Sequence, residues 1–238
     1  MAVEFPGDKR LENQPQLSIK RDGNLPWRTD KPAYAGGVVA AGEACSCCGW
    51  TGRDNQYVTI PDGPSKPVVL CALCVLPTAI GHALNTGKGR LVILPELTQT
   101  EIINLFRWAY LGAYAQKMLA HDNKSWLPQP GNEALLGKAD ALKPLAGAVG
   151  KLEAMLAQRG EDQLRRQFIT NVPSEMFFPV AFSQLSEELY AKRSSHFAAL
   201  RFVPHFAALT DEQWQQAFAD AVFEPGMFAS RFPNPLTS

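Results

Sequence analysis

The chain has no excess charge of either sign: 23 basic residues balance 23 acidic ones over 238 positions. A protein that lives on nucleic acid phosphates is usually visibly basic, so this balance weighs against such a partner. Histidine is scarce at four residues, and none falls between Gly49 and Leu70. The opening Met-Ala-Val-Glu-Phe-Pro-Gly-Asp lacks the apolar core of a secretory signal. There is no Walker loop, dinucleotide fingerprint or Gly-x-Ser-x-Gly elbow, and no repeat or low-complexity tract. One run, Pro67 to Gly87, is free of Asp, Glu, Lys and Arg and has about the length a bilayer requires. It also holds Pro67, Pro77, Gly81, His82, Asn85 and two cysteines. The prolines break a continuous helix, so it reads as buried core and not as a membrane span.

What the chain does have is five cysteines in a telling arrangement. Cys45 and Cys48 form one Cys-x-x-Cys pair, and Cys71 and Cys74 form a second, with residues 49–70 between them. A two-residue spacing lets a tight turn aim both sulfurs at one ion, and two such turns make a tetrahedral four-cysteine zinc site. Four thiolates leave no open coordination position, so Zn²⁺ there would be structural. Paired disulfides would need a secreted chain, and a redox Cys-x-x-Cys would stand alone beside a βαβ pattern. Cys47 could replace a neighbour, but Cys45 with Cys48 has the better spacing and Gly49 suits the turn, which leaves Cys47 a spare thiol. Free thiols and zinc point to a reducing compartment, the cytoplasm.

A hydrophobic fraction of 46% against 19% charged residues gives ample core for one large domain or two small ones. Residues 1–36 are rich in turn formers, with Trp27 and Tyr34 read as anchors over the core. Gln56–Ile60 and Val68–Leu70 read as strands about the turn Pro61-Asp62-Gly63-Pro64, and Val75–Ile80 as a short helix opened by Pro77. Leu91–Leu94 reads as a buried strand. Thr98 with Glu101 makes a capping box, opening a helix whose apolar face is Ile102, Leu105, Phe106, Ala109 and Ala113.

A Pro-rich linker is expected at 123–131, dividing a zinc module with its N-terminal arm (1–122) from a helical region (132–223). In the latter, Leu135, Leu142, Leu145, Val149, Leu152 and Leu156 make a heptad-like stripe, interrupted by Pro144, that could line a bundle or face a partner helix. The run Phe197–Phe206 is apolar and aromatic and reads as part of this helical remainder, with Pro204 ending it. Thr210 with Gln213 makes a second capping box, opening a helix with Trp214, Phe218, Ala221 and Val222 on one face. Residues 224–238 read as a flexible tail. The fold class is therefore α+β: a ββα-metal or treble-clef-like (HNH-like) zinc module with a largely helical remainder.

HNH nucleases need a histidine base at the hairpin and further ligands for a catalytic ion. Here Val75 follows Cys74, His82 sits in an apolar stretch as a packing residue, and His121, His196 and His205 are scattered. Asp54 and Asp62 read as turn residues. The scaffold is indicated without the catalytic machinery, and the expectation is a protein that is not an enzyme.

Cys45-Ser-Cys-Cys48-Gly-Trp50, Leu70-Cys-Ala-Leu-Cys74 and Leu91-Val-Ile-Leu-Pro-Glu-Leu-Thr-Gln-Thr-Glu101 together resemble the IcmJ (DotN) proteins of type IVB secretion and conjugation systems. The resemblance is good over about residues 40–115 and looser through Phe182-Ser-Gln-Leu185 and Leu200-Arg-Phe-Val-Pro204. It implies an HNH-like zinc fold without nuclease chemistry, with Cys45, Cys48, Cys71 and Cys74 matching the zinc ligands. It further implies an adaptor that binds the cytoplasmic C-terminal extension of the type IV coupling ATPase (the DotL kind), alongside other coupling-complex adaptors. Such a protein would be peripheral to the inner membrane through that partner, with no membrane insertion of its own. The alternative from another class is an HNH-like nucleic-acid-binding or nuclease protein.

Overall fold

The computed structural model describes residues 31–60, 65–120 and 197–223 continuously. Between them it describes 141–156 apart from 143 and 148, the single residues 158, 166 and 181, and 184–192 with 195. The expected linker 123–131, the turn 61–64, Trp27, Leu135, His121, His196 and the tail 224–238 lie outside these residues. The described chain mixes helices with two small antiparallel sheets, an α+β architecture.

The first sheet orders β1 (Ala33–Tyr34), β2 (Gln56–Thr59) and β3 (Val68–Leu70) as 1-2-3. The β2–β3 hairpin pairs Gln56 with Leu70 and Val58 with Val68, as the two β-branched runs predict. Val58, Val69 and Leu70 turn inward. Strand β1, two residues long, carries no strand pattern of its own, and its Tyr34 is exposed rather than an anchor over the core. After β3 a 3₁₀ turn over Leu76–Ala79 starts with Pro77 in its first positions. It runs on into α1 (Ile80–Asn85), where the missing proline N–H costs nothing because helix-start donors lack partners anyway. The uncharged run is core: Leu73, Cys74, Ile80 and Ala83 are sealed from solvent. No described helix is long and apolar enough to cross a membrane.

The second sheet corrects one expectation. Leu200–Pro204 is not helical but a strand, β5, paired antiparallel with β4 (Gly89–Ile93) from Gly89↔Pro204 to Ile93↔Leu200. The run is apolar at nearly every position, so neither a two- nor a 3.6-residue period shows in it. Its partner stands more than a hundred residues upstream, beyond the reach of local reading. Pro204 closes the strand, where its lack of an N–H is tolerated. Its carbonyl accepts the Tyr110 hydroxyl at 2.7 Å. The pairing places the region read as a zinc module and the region read as helical in one sheet.

The first capping box forms as read. Thr98 N–H donates to Glu101 Oε2 at 2.7 Å, and Glu101 N–H to Thr98 Oγ1 at 3.2 Å, opening α2 (Gln99–Ala120). The single apolar face is too narrow a description of this helix. Ile103, Arg107, Tyr110, Leu111 and Tyr114 are buried as well as Ile102, Phe106 and Ala109, while Leu105 and Ala113 are the less covered positions. A helix buried around its circumference is an internal strut. It packs against β5 and against α4 (Asp211–Phe223). Gly112 permits a third neighbour: a Cβ there would lie 2.7 Å from the Leu142 carbonyl oxygen and 2.8 Å from Leu145. The leucine stripe from Leu142 to Leu156 thus faces this chain's own core. The second capping box also forms, with Thr210 N–H to Gln213 Oε1 at 2.9 Å, and it turns Trp214, Phe218 and Ala221 inward. Between β5 and the upstream part of the chain lies α3 (Glu187–Ala191), capped by Ser186.

Gln99 does something no periodicity would suggest. Its side-chain amide donates to the Phe202 carbonyl at 2.7 Å and accepts from the Phe202 N–H at 2.8 Å, standing in for a third strand at the open edge of β5. Both residues are buried, so Gln99→Ala would orphan two backbone groups at about 1–3 kcal/mol each. Urea denaturation should show that loss, and a change below about 0.5 kcal/mol would contradict the clamp.

Candidate metal centre

The first cysteine pair sits on a turn over 46–48 that closes through Gly49 N–H to the Cys45 carbonyl at 2.9 Å. Gly49 adopts φ 76°, a conformation open to glycine at no steric cost. Cys45 N–H then donates to the Trp50 carbonyl at 2.7 Å, and Ser46 N–H to the Val69 carbonyl at 2.8 Å. The turn is therefore fastened to the hairpin beside it. The second pair follows β3 directly: Val75 N–H reaches the Cys71 carbonyl at 3.1 Å, and Cys74 N–H points at Cys71 Sγ at 3.4 Å.

These two turns converge. The Sγ atoms of Cys45, Cys48, Cys71 and Cys74 all lie within 4.8 Å of one another, and all four residues are buried. Two sulfurs bound to one tetrahedral zinc at about 2.3 Å stand roughly 3.8 Å apart. Cys48 Sγ and Cys71 Sγ are 3.7 Å apart, too far for a disulfide bond and suited to a shared ion. The all-sulfur donor set fits zinc or a similar thiophilic divalent ion. All five cysteines are free thiols. Cys47 is buried but stands outside the foursome, with Sγ 3.3 Å from Thr100 Oγ1 at the start of α2.

Burial penalises every thiolate in the cluster, and hydrogen bonds from neighbouring thiols outweigh that penalty only at Cys45 and Cys71. Those bonds hold Cys45 well below the ordinary thiol range, while burial and the same neighbours push Cys48 and Cys74 well above it. Cys71 is also held low, helped by the nearby Arg107 charge. Packed without an ion, four such groups cannot all ionise; a divalent cation is what would allow it.

Three residues around the cluster escaped the sequence reading. Asp54, read as a turn residue, is half-buried: its Oδ2 accepts the Ala72 N–H at 2.9 Å, and its Oδ1 accepts the Trp50 indole N–H. It thereby braces the second turn against the first. Burial raises its pKa, with the neighbouring Cys71 charge adding to the shift. Arg107 reaches in from α2, with Nη2 2.8 Å from Cys71 Sγ and 3.6 Å from Cys48 Sγ. Its guanidinium carbon lies 4.3 Å from the centroid of the Trp50 ring, within cation–π range. Asp220 on α4 accepts the Arg53 N–H at 3.0 Å, tying the loop after Trp50 to the C-terminal helix. No sequence spacing links these residues to the cysteines. The one available hint was an arginine inside an otherwise apolar helical stretch.

The two described histidines stand apart from the sulfurs. His82 is half-buried on α1, and burial together with Lys88 and Lys31 lowers its pKa. His205 accepts from Arg90 Nε through Nε2 at 3.0 Å, and its Nδ1 lies 3.1 Å from the Gly87 carbonyl. Neither belongs to the four-sulfur group. Comparison with protein-family models and with curated proteins finds no match to this chain.

Proposed function

We propose that the chain is a non-catalytic, zinc-stapled adaptor of the IcmJ (DotN) kind in a type IVB secretion or conjugation system. In this reading it binds the C-terminal extension of the type IV coupling ATPase (DotL-like) beside other adaptors and helps recruit substrates. It works in the cytoplasm, peripheral to the inner membrane through that partner. One observation carries the reading: four buried cysteine sulfurs, drawn from two turns, enclose a space for one ion. An ion held by all four would have no position left for substrate or water, so its work is to fix the scaffold.

The order of elements supports an HNH-like, ββα-metal or treble-clef module: a cysteine turn, a hairpin, a second cysteine turn and a short helix. The residues of the resemblance also meet in space. Leu97 offers its carbonyl to Arg201 Nε at 2.6 Å, and Gln99 holds Phe202, so Leu-Pro-Glu-Leu-Thr-Gln lies against Leu-Arg-Phe-Val-Pro. Tyr34 and Val38, exposed ahead of the first cysteine turn, offer apolar contact to a peptide partner.

Pulldown of the ATPase extension by the purified chain, set beside a gel-shift and DNA-cleavage assay, tests the proposal. Capture of the extension with no shift or cleavage is the expected result. Metal-dependent cleavage that disappears in His82→Ala would overturn it in favour of an HNH nuclease.

A further inference from the structure

Arg107 is the one buried cation among the described residues. A guanidinium removed from water needs a partner of opposite charge or it strongly disfavours the fold. Asp54 contributes opposite charge nearby, but its oxygens accept from the Trp50 indole and the Ala72 amide and make no hydrogen bond to the guanidinium. The acceptors Arg107 does reach are sulfurs, Cys71 at 2.8 Å and Cys48 at 3.6 Å, while its Nε–H has no acceptor among the described residues. Trp50 fixes the plane of the guanidinium by lying 4.3 Å beneath it. A neutral pair of thiols would be a poor match for such a fixed, desolvated charge. Four thiolates around a divalent ion carry a net charge of minus two, which matches it well.

We propose that Arg107 is a positioning residue of the metal centre. Held against Trp50, it donates to Cys71 and Cys48 and offsets the charge that four thiolates leave on a divalent ion. Helix α2 is thereby locked to the loaded site. The proposal rests on the metal-binding reading above and adds to it a residue outside the ligand set. Partners that hydrogen-bond to metal ligands orient them and tune the metal, and their loss weakens binding about 10–100-fold. Arginine and lysine share the charge but not the planar fork.

Cobalt(II) reconstitution of the full chain separates the possibilities. The wild type should take up one ion with the visible spectrum of a tetrahedral four-thiolate site. Arg107→Gln should keep that stoichiometry, bind about 10–100-fold more weakly in chelator competition, and shift the sulfur-to-cobalt charge-transfer band. Arg107→Lys keeps the charge but not the fork that stacks on Trp50 and reaches two sulfurs, so its affinity should fall between Arg107→Gln and the wild type. An arginine that only filled space would change the melting temperature and leave the band where it was. Wild-type affinity and an unshifted band in Arg107→Gln would overturn the proposal while leaving the metal site intact. A wild-type chain that takes up no cobalt would overturn both. Should Arg107→Gln fail to fold, Arg107→Lys decides: weaker cobalt binding with a shifted charge-transfer band upholds the proposal, and an unshifted band refutes it.

Discussion

Cys71→Ser is expected to abolish metal binding and, with it, the cooperative fold. In small zinc modules the free energy of binding is folding free energy, about 10–16 kcal/mol at neutral pH in isolated fingers. A larger core softens that dependence, but here the cluster is continuous with the core. Cys71, Leu73 and Cys74 are fully buried together with Ile80 and Phe106. Serine would replace the sulfur nearest to Arg107 with a weaker ligand and strand a buried cation beside it. Elemental analysis should find about one zinc per wild-type chain and almost none in the variant, and thermal unfolding should lose its sharp transition. Cys47→Ser supplies the control, because its sulfur faces Thr100 outside the foursome; it should retain the metal. A Cys71→Ser chain with full metal content and unchanged melting would strike that residue from the ligand set.

Trp50→Ala should be the most damaging change that touches no ligand. The indole is 1% exposed. It supports the Arg107 guanidinium from below, donates to half-buried Asp54, and rests directly on Gly52, where a Cβ would meet the indole nitrogen at 2.1 Å. Truncating a buried tryptophan costs about 3–5 kcal/mol. Leaving Asp54 without one of its donors adds a penalty of about 1–3 kcal/mol. Trp50→Phe keeps the ring and loses the donor, so it should show chiefly the smaller penalty. Chemical denaturation of the zinc-loaded proteins would separate the two, and a Trp50→Ala loss below about 1 kcal/mol would contradict this role.

Local signals in this chain were read accurately where their chemistry is local. Both capping boxes close with their reciprocal bonds, the hairpin forms between the cysteine pairs, and the two Cys-x-x-Cys turns bring their four sulfurs together. Each of these rests on residues a few positions apart, or on turns with a fixed geometry. Long-range partnerships were not legible. Nothing in Leu200-Arg-Phe-Val-Pro announces Gly89–Ile93 as its mate, and an arginine in α2 carries no mark of the sulfurs it approaches. Asp54 has the composition of a turn residue and occupies a turn, yet its carboxylate braces a segment eighteen positions on. The breadth of burial around α2 was also hidden. Arg107 and Asn104 interrupt the apolar pattern, although both are buried.

The wide separation of β4 from β5 has a consequence for synthesis. At about 5–20 residues per second, a ribosome needs on the order of 5–20 s after finishing β4 before β5 is made. An equal interval separates the emergence of the two strands from the ribosome, and through it Leu91, Val92 and Ile93 have no strand to receive them. The nascent chain is therefore at its most adhesive midway through translation. A chaperone shielding that one ribbon would serve it better than one waiting at the end.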